Sequence, residues 1–332
     1  MHTFKQSLQE NNSQLIISLS GIGLDMRQEG NIYNEIDVPL LTIFLDHPIH
    51  YWDRADVAIK KNVISCLSEE GAQFIQDKTS LGKKSFQLAH AANPKEKTDW
   101  ASKDVNLFYC GTLRNTPESQ KNEWAHHGSQ VQGLLNDILD DHSAHQHVSL
   151  MAASCRVLQN HIDCTQIENI FPYYVTIDAY LRDYHRVETL RYFKEIPITI
   201  AGEGWQPIID TFNPKTVSYL GRIHPTEVRQ LNERAKIVLN AINTYHGSHE
   251  RVFSSIADGA IPFTSTSDYL KESFNESEIV QFNWSDDLEN LYRNITTHDE
   301  EMKQLSDNGH KKFLSAHTWK SRAEKIITEM NL

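Results

Sequence analysis

Short apolar runs alternate with amphipathic stretches along most of the chain. This pattern predicts an α/β fold in which parallel strands are covered by helices. The length of 332 residues is about twice that of a common domain, so we expect two such domains. Hydrophobic residues make up 39% of the sequence and charged residues 23%, which is the composition of a globular protein that can bury a core.

The N-terminal part supplies the first candidate β-α units. Its apolar runs lie at 14–19, 38–45 and 62–67. A helical pattern at 69–75 follows the third run, as expected for strands joined by helices. Residues 77–103 are polar and rich in Lys, Ser and Asn, and we interpret them as connecting segments and a linker.

A regular β-α alternation fills the C-terminal part. It starts with a strand at 105–110, which is followed by a polar, helical stretch that we interpret as an insertion near 116–170. Further strands are predicted at 197–202, 217–221, 237–242, 261–265 and 279–282, and a last helix at 317–330. Ligands of a doubly wound sheet sit at the carboxyl ends of its strands, so functional residues should lie just after them.

Composition also limits the classes of partner and compartment. The net charge is −12 and no basic run is visible, so nucleic acid is not favoured as a partner. No apolar stretch approaches the roughly 20 residues that span a bilayer, and the polar N-terminus lacks the apolar core of a signal peptide. The cysteines are widely spaced, which favours reduced thiols in a cytoplasmic protein: Cys66, Cys110, Cys155 and Cys164.

The segment 235–265 carries the most specific signal. Gly247, Ser248 and His249 stand at the start of a predicted helix, where free N–H groups and the helix dipole favour phosphate. Arg251 adds a fork of donors that can pair with phosphate oxygens. The alternative interpretation makes Ser248 an ordinary N-cap and Arg251 a surface ion-pair residue.

This segment resembles the second domain of GT-B glycosyltransferases, and most closely the CgeB-like group. The matching residues are Ile237, Leu239, Asn240, Arg251, Phe253, Ala257, Gly259, Pro262 and Thr264. Further motifs of the family are matched in order by Arg186 with Leu190, by 201–205, by 217–221, and by His317, Thr318, Trp319 and Arg322. The resemblance covers roughly residues 105–330 and is thin over the first hundred.

The resemblance implies two Rossmann-like domains facing a cleft, with the helical insertion in the second. The acceptor-side domain would span 1–104, which is short for a full Rossmann unit and leaves a trimmed domain open. The donor domain would span 105–310, and the helix at 311–332 would return to the first domain. The implied activity is that of a metal-independent glycosyltransferase of the hexosyltransferase type. It would need no cofactor and would move a sugar from a nucleoside-diphosphate sugar, with a UDP-sugar favoured, to a hydroxyl of an unidentified protein, glycan or small molecule.

The resemblance also assigns the donor site. Its expected residues are Gly202, Gly204, Arg222, Ile223, Gly247, Ser248, His249, Glu250, Arg251 and Ser254. The family usually has Glu where this chain has Ser254, and that Glu holds the ribose hydroxyls. Glu250 lies one turn earlier on the same helical face and could take its place. Taken alone, Gly202 and Gly204 would also fit a simple tight turn, and Arg222 could also be a side chain that faces solvent.

A second candidate site follows the strand at 38–45. Asp46 and His47 are the candidate catalytic groups, because a carboxylate or imidazole there could take the proton of the acceptor hydroxyl. Gly21, His50 and Tyr51 are expected on the acceptor side. The alternative is that Asp46 caps a turn and the histidines are merely exposed.

Two further questions stay open at the level of the sequence. His126, His127, His142, His145 and His147 stand near Asp140 and Asp141, but no ligand signature matches, so we expect no metal site. Ser254 also leaves room for other functions. These are a catalytically weak or inactive nucleotide-sugar-binding protein, and a sugar-nucleotide epimerase of the same fold.

Overall fold

The computed structural model describes residues 2–24, 31–145, 148–241 and 246–332. The chain divides into two compact units. The N-terminal unit contains residues 1–89, 151–175 and 322–332, and the C-terminal unit contains 90–150 and 176–321. Each unit holds one parallel sheet, so the predicted α/β fold with two Rossmann-like domains is confirmed.

The sheet of the N-terminal unit has its strands in chain order. They are β1 (Ile16–Leu19), β2 (Leu40–Ile43), β3 (Asn62–Cys66) and β4 (Ser85–Gln87). Neighbouring strands pair in parallel, with Ile16 opposite Leu40 and Leu40 opposite Asn62. The fourth strand lies inside the stretch that we predicted as connecting segments. It has three residues, and only its pairing with β3 makes it recognisable.

The sheet of the C-terminal unit has the order β10-β9-β8-β5-β6-β7. Its strands are β5 (Val105–Cys110), β6 (Ile198–Ala201), β7 (Val217–Tyr219), β8 (Ala235–Asn240), β9 (Ile261–Ser265) and β10 (Val280–Phe282). All pairings are parallel, and the central strands β8 and β9 are buried on both faces. The chain order reverses beside β5, which is where such sheets bind ligands.

Helices cover both sheets. They are α1 (His2–Glu10), α2 (Trp52–Ala55), α3 (Glu69–Lys78), α4 (Pro117–Trp124), α5 (Ser129–Ala144), α6 (Leu150–Leu158), α7 (Ile167–Arg191), α8 (Gln206–Ile209), α9 (Pro225–Arg234), α10 (Glu250–Ala257), α11 (Asp268–Ser273), α12 (Leu288–Ile295), α13 (Asp299–Ala316) and α14 (Trp319–Met330). In the described part of the chain, no helix has the length and apolar composition needed to cross a bilayer.

Each unit packs its own hydrophobic core. In the C-terminal unit, Leu107, Ile200 and Ile237 from three strands lie in one buried cluster. Such burial is the main favourable term in folding, at about 25 cal/mol per Å² of apolar surface. In the N-terminal unit, the end of α14 contributes Ile326 and Met330, which pack near Leu41 and related residues of the sheet.

Each unit is built from separate stretches of the sequence, whereas the predicted domains are continuous stretches. Residues 90–104, expected in the first domain, group with the C-terminal unit, and 151–175 group with the N-terminal unit. Within the last segment, 311–321 belong to the C-terminal unit and 322–332 to the N-terminal one. Helical patterns show which residues are buried but not which sheet they cover, so the sequence could not place these segments.

Candidate active site

The turn after β6 is built around two glycines that the backbone geometry requires. Gly202 has φ of +120°, and a Cβ on it would lie 1.8 Å from the carbonyl oxygen of Gly111. Gly204 has φ of +84°, and a Cβ there would lie 2.0 Å from the oxygen of Leu113. Both predicted donor-site glycines are therefore needed for close packing of two loops at the strand ends.

The turn after β7 holds the next predicted pair. Arg222 is 81% exposed and pairs with Glu203 at 3.5 Å, so its ion pair lies in solvent and contributes little to stability. Ile223 is half-buried and packs near the cluster that contains Val238. Of the two residues, Ile223 is the one whose side chain lines a cavity, as described below.

The segment before α10 is tied down by hydrogen bonds. Ser248 is completely buried, and its Oγ accepts the backbone N–H of His90 at 2.8 Å. The carbonyl of Gly247 accepts a hydrogen bond from Ser267 Oγ at 2.8 Å. His249 is the N-cap of α10, because its Nδ1 accepts the N–H of Arg251 at 3.3 Å. Ser248 thus positions the loop, and His249 rather than Ser248 caps the helix.

Several cationic side chains lie near the start of α10. Burial lowers the pKa of His249 well below its usual value, and the charges of Arg251, His90, Arg186 and Arg182 lower it further. The imidazole is therefore neutral at pH 7 and keeps Nδ1 as an acceptor. We call Arg182, Arg186 and Arg251 the arginine cluster.

The arginine cluster contains buried donor groups without protein acceptors. Arg186 donates from Nη1 to the carbonyl of Thr112 at 2.6 Å and pairs with the carboxylate of Asp183 at 3.4 Å, but its Nε is buried without a hydrogen-bond partner among the described residues. Arg251 Nη1 is also buried without a hydrogen-bond partner among the described residues. A buried cationic donor is costly unless it is paired, so this geometry suits an anionic ligand with several oxygens.

A cleft of about 530 Å³, which we call the α10 cleft, runs along this helix within the C-terminal unit. Four predicted donor-site residues line it. They are Ile223, Glu250, Arg251 and Ser254. Pro225, Val228 and Trp319 add apolar and aromatic surface. The cleft therefore joins an apolar wall to a cationic helix start.

The polar positions on α10 differ in exposure. Glu250 is exposed, whereas Ser254 is half-buried and its Oγ donates to the carbonyl of Arg251 at 3.3 Å. Both line the same cleft, as the one-turn spacing predicts. The exposed carboxylate of Glu250 can therefore reach a polar ligand that binds near Ser254.

The second candidate site lies in the N-terminal unit, after β2. His47 is 2% exposed and begins a 3-10 helix at Pro48–Tyr51, where its Nδ1 accepts the N–H of Ile49 at 3.3 Å. Its ring lies 5.0 Å from that of Phe74 and 5.2 Å from that of Tyr174. The predicted catalytic histidine is therefore packed as a capping residue in an aromatic environment.

The neighbours of His47 are more accessible. Asp46 and His50 are half-buried, and His50 lies edge-on to the ring of Tyr174 at 5.7 Å. Tyr51 stacks on Phe44 at 5.2 Å. Of the two predicted catalytic groups, Asp46 is the one with solvent access.

The predicted acceptor-side glycine lies at the end of β1. Gly21 has φ of +68°, and a Cβ on it would lie 2.9 Å from Cβ of Arg54. Arg54 Nη1 donates to the carbonyl of Ser20 at 3.0 Å and so holds the turn. The glycine is required by the backbone and by the contact with Arg54.

The histidine-rich stretch forms no recognisable metal centre in the residues that the structure describes. His126 and His127 are exposed in a 3-10 turn, and His142 is buried. Across the described ranges, no group of three or more His, Cys, Asp or Glu side chains is placed to hold a metal ion. His147 lies outside the described residues.

Sequence reasoning did not assign several residues to this site: Arg182 and His90 were not named, and Arg186 and Trp319 were named only as matches to family motifs. Arg182 and Arg186 were accessible to it, since their spacing of four on a long helix puts both guanidinium groups on one face. His90 and Trp319 gave no such signal, because they reach the α10 segment and the cleft only through long-range packing.

Comparison with known proteins agrees with this picture. Residues 182–328 match the model of a family described as glycosyl transferase-like. Among curated proteins, none matches the sequence significantly.

Solved structures share the fold over almost the whole chain. Sucrose-phosphate synthase from Thermosynechococcus elongatus has a TM-score of 0.56 at 12% identity, covering 97% of this chain and 74% of the other. HepE from Anabaena in complex with UDP-glucose has a TM-score of 0.57 at 11% identity, covering 99% and 81%. TarM has a TM-score of 0.53 at 11% identity, covering 99% of this chain but only 57% of TarM. The predicted GT-B fold is thereby confirmed, and the family match over residues 182–328 supports the resemblance to glycosyltransferases. Membership of the CgeB-like group stays a prediction.

Proposed function

We propose that this protein transfers a hexose from a nucleoside-diphosphate sugar to a hydroxyl acceptor, without a metal ion and in the cytoplasm. A UDP-sugar is the favoured donor, because HepE, which has the same fold, is described in complex with UDP-glucose. The observation that carries the proposal is the arginine cluster at the start of α10, with buried guanidinium donors that lack protein acceptors in the described chain.

The arginine cluster suits the leaving group of this reaction. When the glycosidic bond breaks, negative charge develops on the diphosphate. The N–H groups at the start of α10 and the donors of Arg251 and Arg186 can stabilise that charge. Positive charge supplied by the chain itself, above all by Arg251, supports the proposed independence from a metal ion.

The remainder of the α10 cleft suits the nucleoside. Ile223, Pro225 and Val228 offer apolar surface to a base, while Glu250 and Ser254 offer oxygen acceptors to ribose hydroxyls. We assign ribose binding to Glu250, because the family's usual carboxylate is replaced by Ser254. Arg222, Gly202 and Gly204 then shape the turns beside this surface.

Catalysis also needs a group that takes the proton of the acceptor. In the proposed step, the acceptor oxygen bonds to the anomeric carbon, and the bond from that carbon to the diphosphate oxygen breaks. The proton passes to the carboxylate of Asp46. His47 then acts as a positioning residue at the same turn, and Gly21, His50 and Tyr51 contribute acceptor contacts.

A screen of UDP-, GDP-, dTDP- and CMP-sugars by thermal stabilisation tests the donor assignment. Ligands that bind the folded state raise its apparent stability, so the UDP-sugars should raise the melting temperature most. The screen is repeated with EDTA, and the stabilisation should persist. The assignment fails if no sugar nucleotide shifts the melting temperature.

The main competing function is a binding protein with little or no catalysis, which the Ser254 position favours. The two functions separate in one assay. A transferase should release UDP from a stabilising UDP-sugar in the presence of a hydroxyl acceptor or, more slowly, with water as acceptor. Tight binding without any UDP release would favour the binding protein instead.

A further inference from the structure

A second cavity, which we call the His185 pocket, lies within the C-terminal unit between α5, α7 and the start of α12. Its volume is about 290 Å³. None of the described residues that line it also lines the α10 cleft. This volume is at the small end of ligand pockets, roughly 300 to 1,000 Å³, and suits a ligand of a single ring.

One wall of the pocket is aromatic. The rings of His185 and Trp284 stack with centroids 3.8 Å apart and an angle of 17°. Tyr184 meets His185 edge-on at 5.6 Å and keeps 37% of its surface exposed. Flat aromatic surfaces of this kind offer polarisable faces to C–H groups.

Two polar side-chain atoms of the lining are buried without hydrogen-bond partners in the described part of the chain. Thr189 is 1% exposed and His142 is 9% exposed, and the orphaned atoms are Thr189 Oγ1 and His142 Nδ1. A threonine hydroxyl within a helix ordinarily donates to a carbonyl one turn earlier. Burying such groups unpaired costs stability, so an occupant of this pocket is expected to hydrogen-bond to them.

The described side chains that line the His185 pocket carry little charge, which disfavours the binding of ions. Burial lowers the pKa of His185 to about 3 and also lowers that of His142, so both rings are neutral at pH 7. The charged side chain of the lining, Glu188, pairs with Arg191. The described residues that line the pocket include no lysine or arginine, which disfavours phosphate or carboxylate ligands.

We infer that the His185 pocket binds one neutral monosaccharide unit, with its ring on the aromatic wall and its hydroxyls on Thr189 and His142. An aliphatic or aromatic ligand would leave the two buried polar atoms unpaired, and an anion would meet no lysine or arginine among the described lining residues. A sugar ring meets both demands, because it carries C–H faces and several hydroxyl groups that donate and accept. This inference rests on the pocket alone and holds whether or not the α10 cleft binds a sugar nucleotide.

Saturation-transfer NMR with glucose, galactose, mannose and N-acetylglucosamine tests the inference, with excess UDP present to fill the α10 cleft. Their methyl glycosides distinguish the end of a glycan from a free sugar. Glucose 6-phosphate and cyclohexanol serve as the anionic and hydroxyl-poor comparisons. At least one neutral sugar or glycoside should bind saturably, and more tightly than both comparison compounds.

Thr189→Val assigns the binding to this pocket, and Thr297→Val, at an exposed position after α12, is the matched control. Thr189→Val should weaken sugar binding about fivefold, the effect of one neutral hydrogen bond. Its melting temperature should stay equal or rise, because an unpaired buried hydroxyl is removed. Thr297→Val should bind as the wild type does.

Three results would overturn the inference. They are the absence of saturable binding by every neutral sugar and glycoside, the loss of the sugar signal when UDP is added, and full affinity in Thr189→Val. Failure of the proposed function is distinguishable, because it appears as the absence of sugar-nucleotide binding while the monosaccharide signal persists.

Discussion

His47 and His249 have the same local role in the two units, but their surroundings differ. Nδ1 of each ring accepts the N–H of the residue two positions later, at 3.3 Å in both cases. His47 packs against the rings of Phe74 and Tyr174. The pKa of His249 is instead lowered by burial and by the charges of Arg251 and other cations. A capping histidine at a helix start therefore does not identify a binding site by itself. The side chains around it decide whether the site suits an anion.

The largest expected effect concerns Asp46, the accessible neighbour of His47. Asp46→Asn should lower kcat about 10²- to 10⁴-fold, because general base catalysis contributes that much. The measurement is the rate of sugar transfer at saturating donor. Asp53→Asn, at an exposed position of α2, is the matched control. An unchanged kcat in Asp46→Asn would remove the catalytic role from the β2 end.

The next prediction concerns how much His47 and His249 each contribute to the free energy of unfolding. His47→Ala should lower the free energy of unfolding by about 3 kcal/mol, because it removes a buried ring from aromatic contacts. His249→Ala should cost about 1 kcal/mol, the usual value of a lost cap. Urea denaturation measures both. Equal losses would contradict the contrast between His47, which is packed among aromatic rings, and His249, which acts mainly as a helix cap.

The smallest effect is a pH dependence from His249. Its pKa is lower in the folded than in the unfolded state, so its contribution is fully present above about pH 6.5 and is lost as the pH falls toward the folded-state pKa. One proton changes stability by at most about 1.4 kcal/mol per pH unit.

His249→Asn, which keeps a capping side chain, should flatten this dependence in thermal unfolding between pH 7 and 5. His126→Asn, at an exposed position, serves as the control. If both variants follow the wild-type curve, His249 does not lie in the cationic environment described.

Much of the fold was predictable because most strands and helices carry a local signal. The strand at 105–110 was predicted with the bounds that the structure gives, and a helix was predicted directly after Gly247, Ser248 and His249, where α10 begins. β4 and the short helices α8 and α11 were not, since three to six residues are too few for a hydrophobic period to show. The allocation of 151–175 to the N-terminal unit depends on long-range packing that no local pattern encodes.

The candidate site was predictable in part. Ile223, Glu250, Arg251 and Ser254 follow strands or share a helical face, and the structure brings them to one cleft. Arg186 was noted only as part of a motif, because its approach to α10 depends on how α7 packs. The role of His47 also needed the structure, since the sequence does not show the aromatic rings that surround it.

The central claim is that the start of α10 binds the diphosphate of a sugar nucleotide, and calorimetric titration of UDP-glucose into wild type and Arg251→Ala tests it most directly. Arg251→Ala should raise Kd about ten- to a hundredfold, as expected when a charged hydrogen-bond donor is removed. Arg293→Ala, which removes an exposed guanidinium paired with Glu289 on α12, should leave Kd unchanged. Equal Kd values for wild type and Arg251→Ala would contradict the claim.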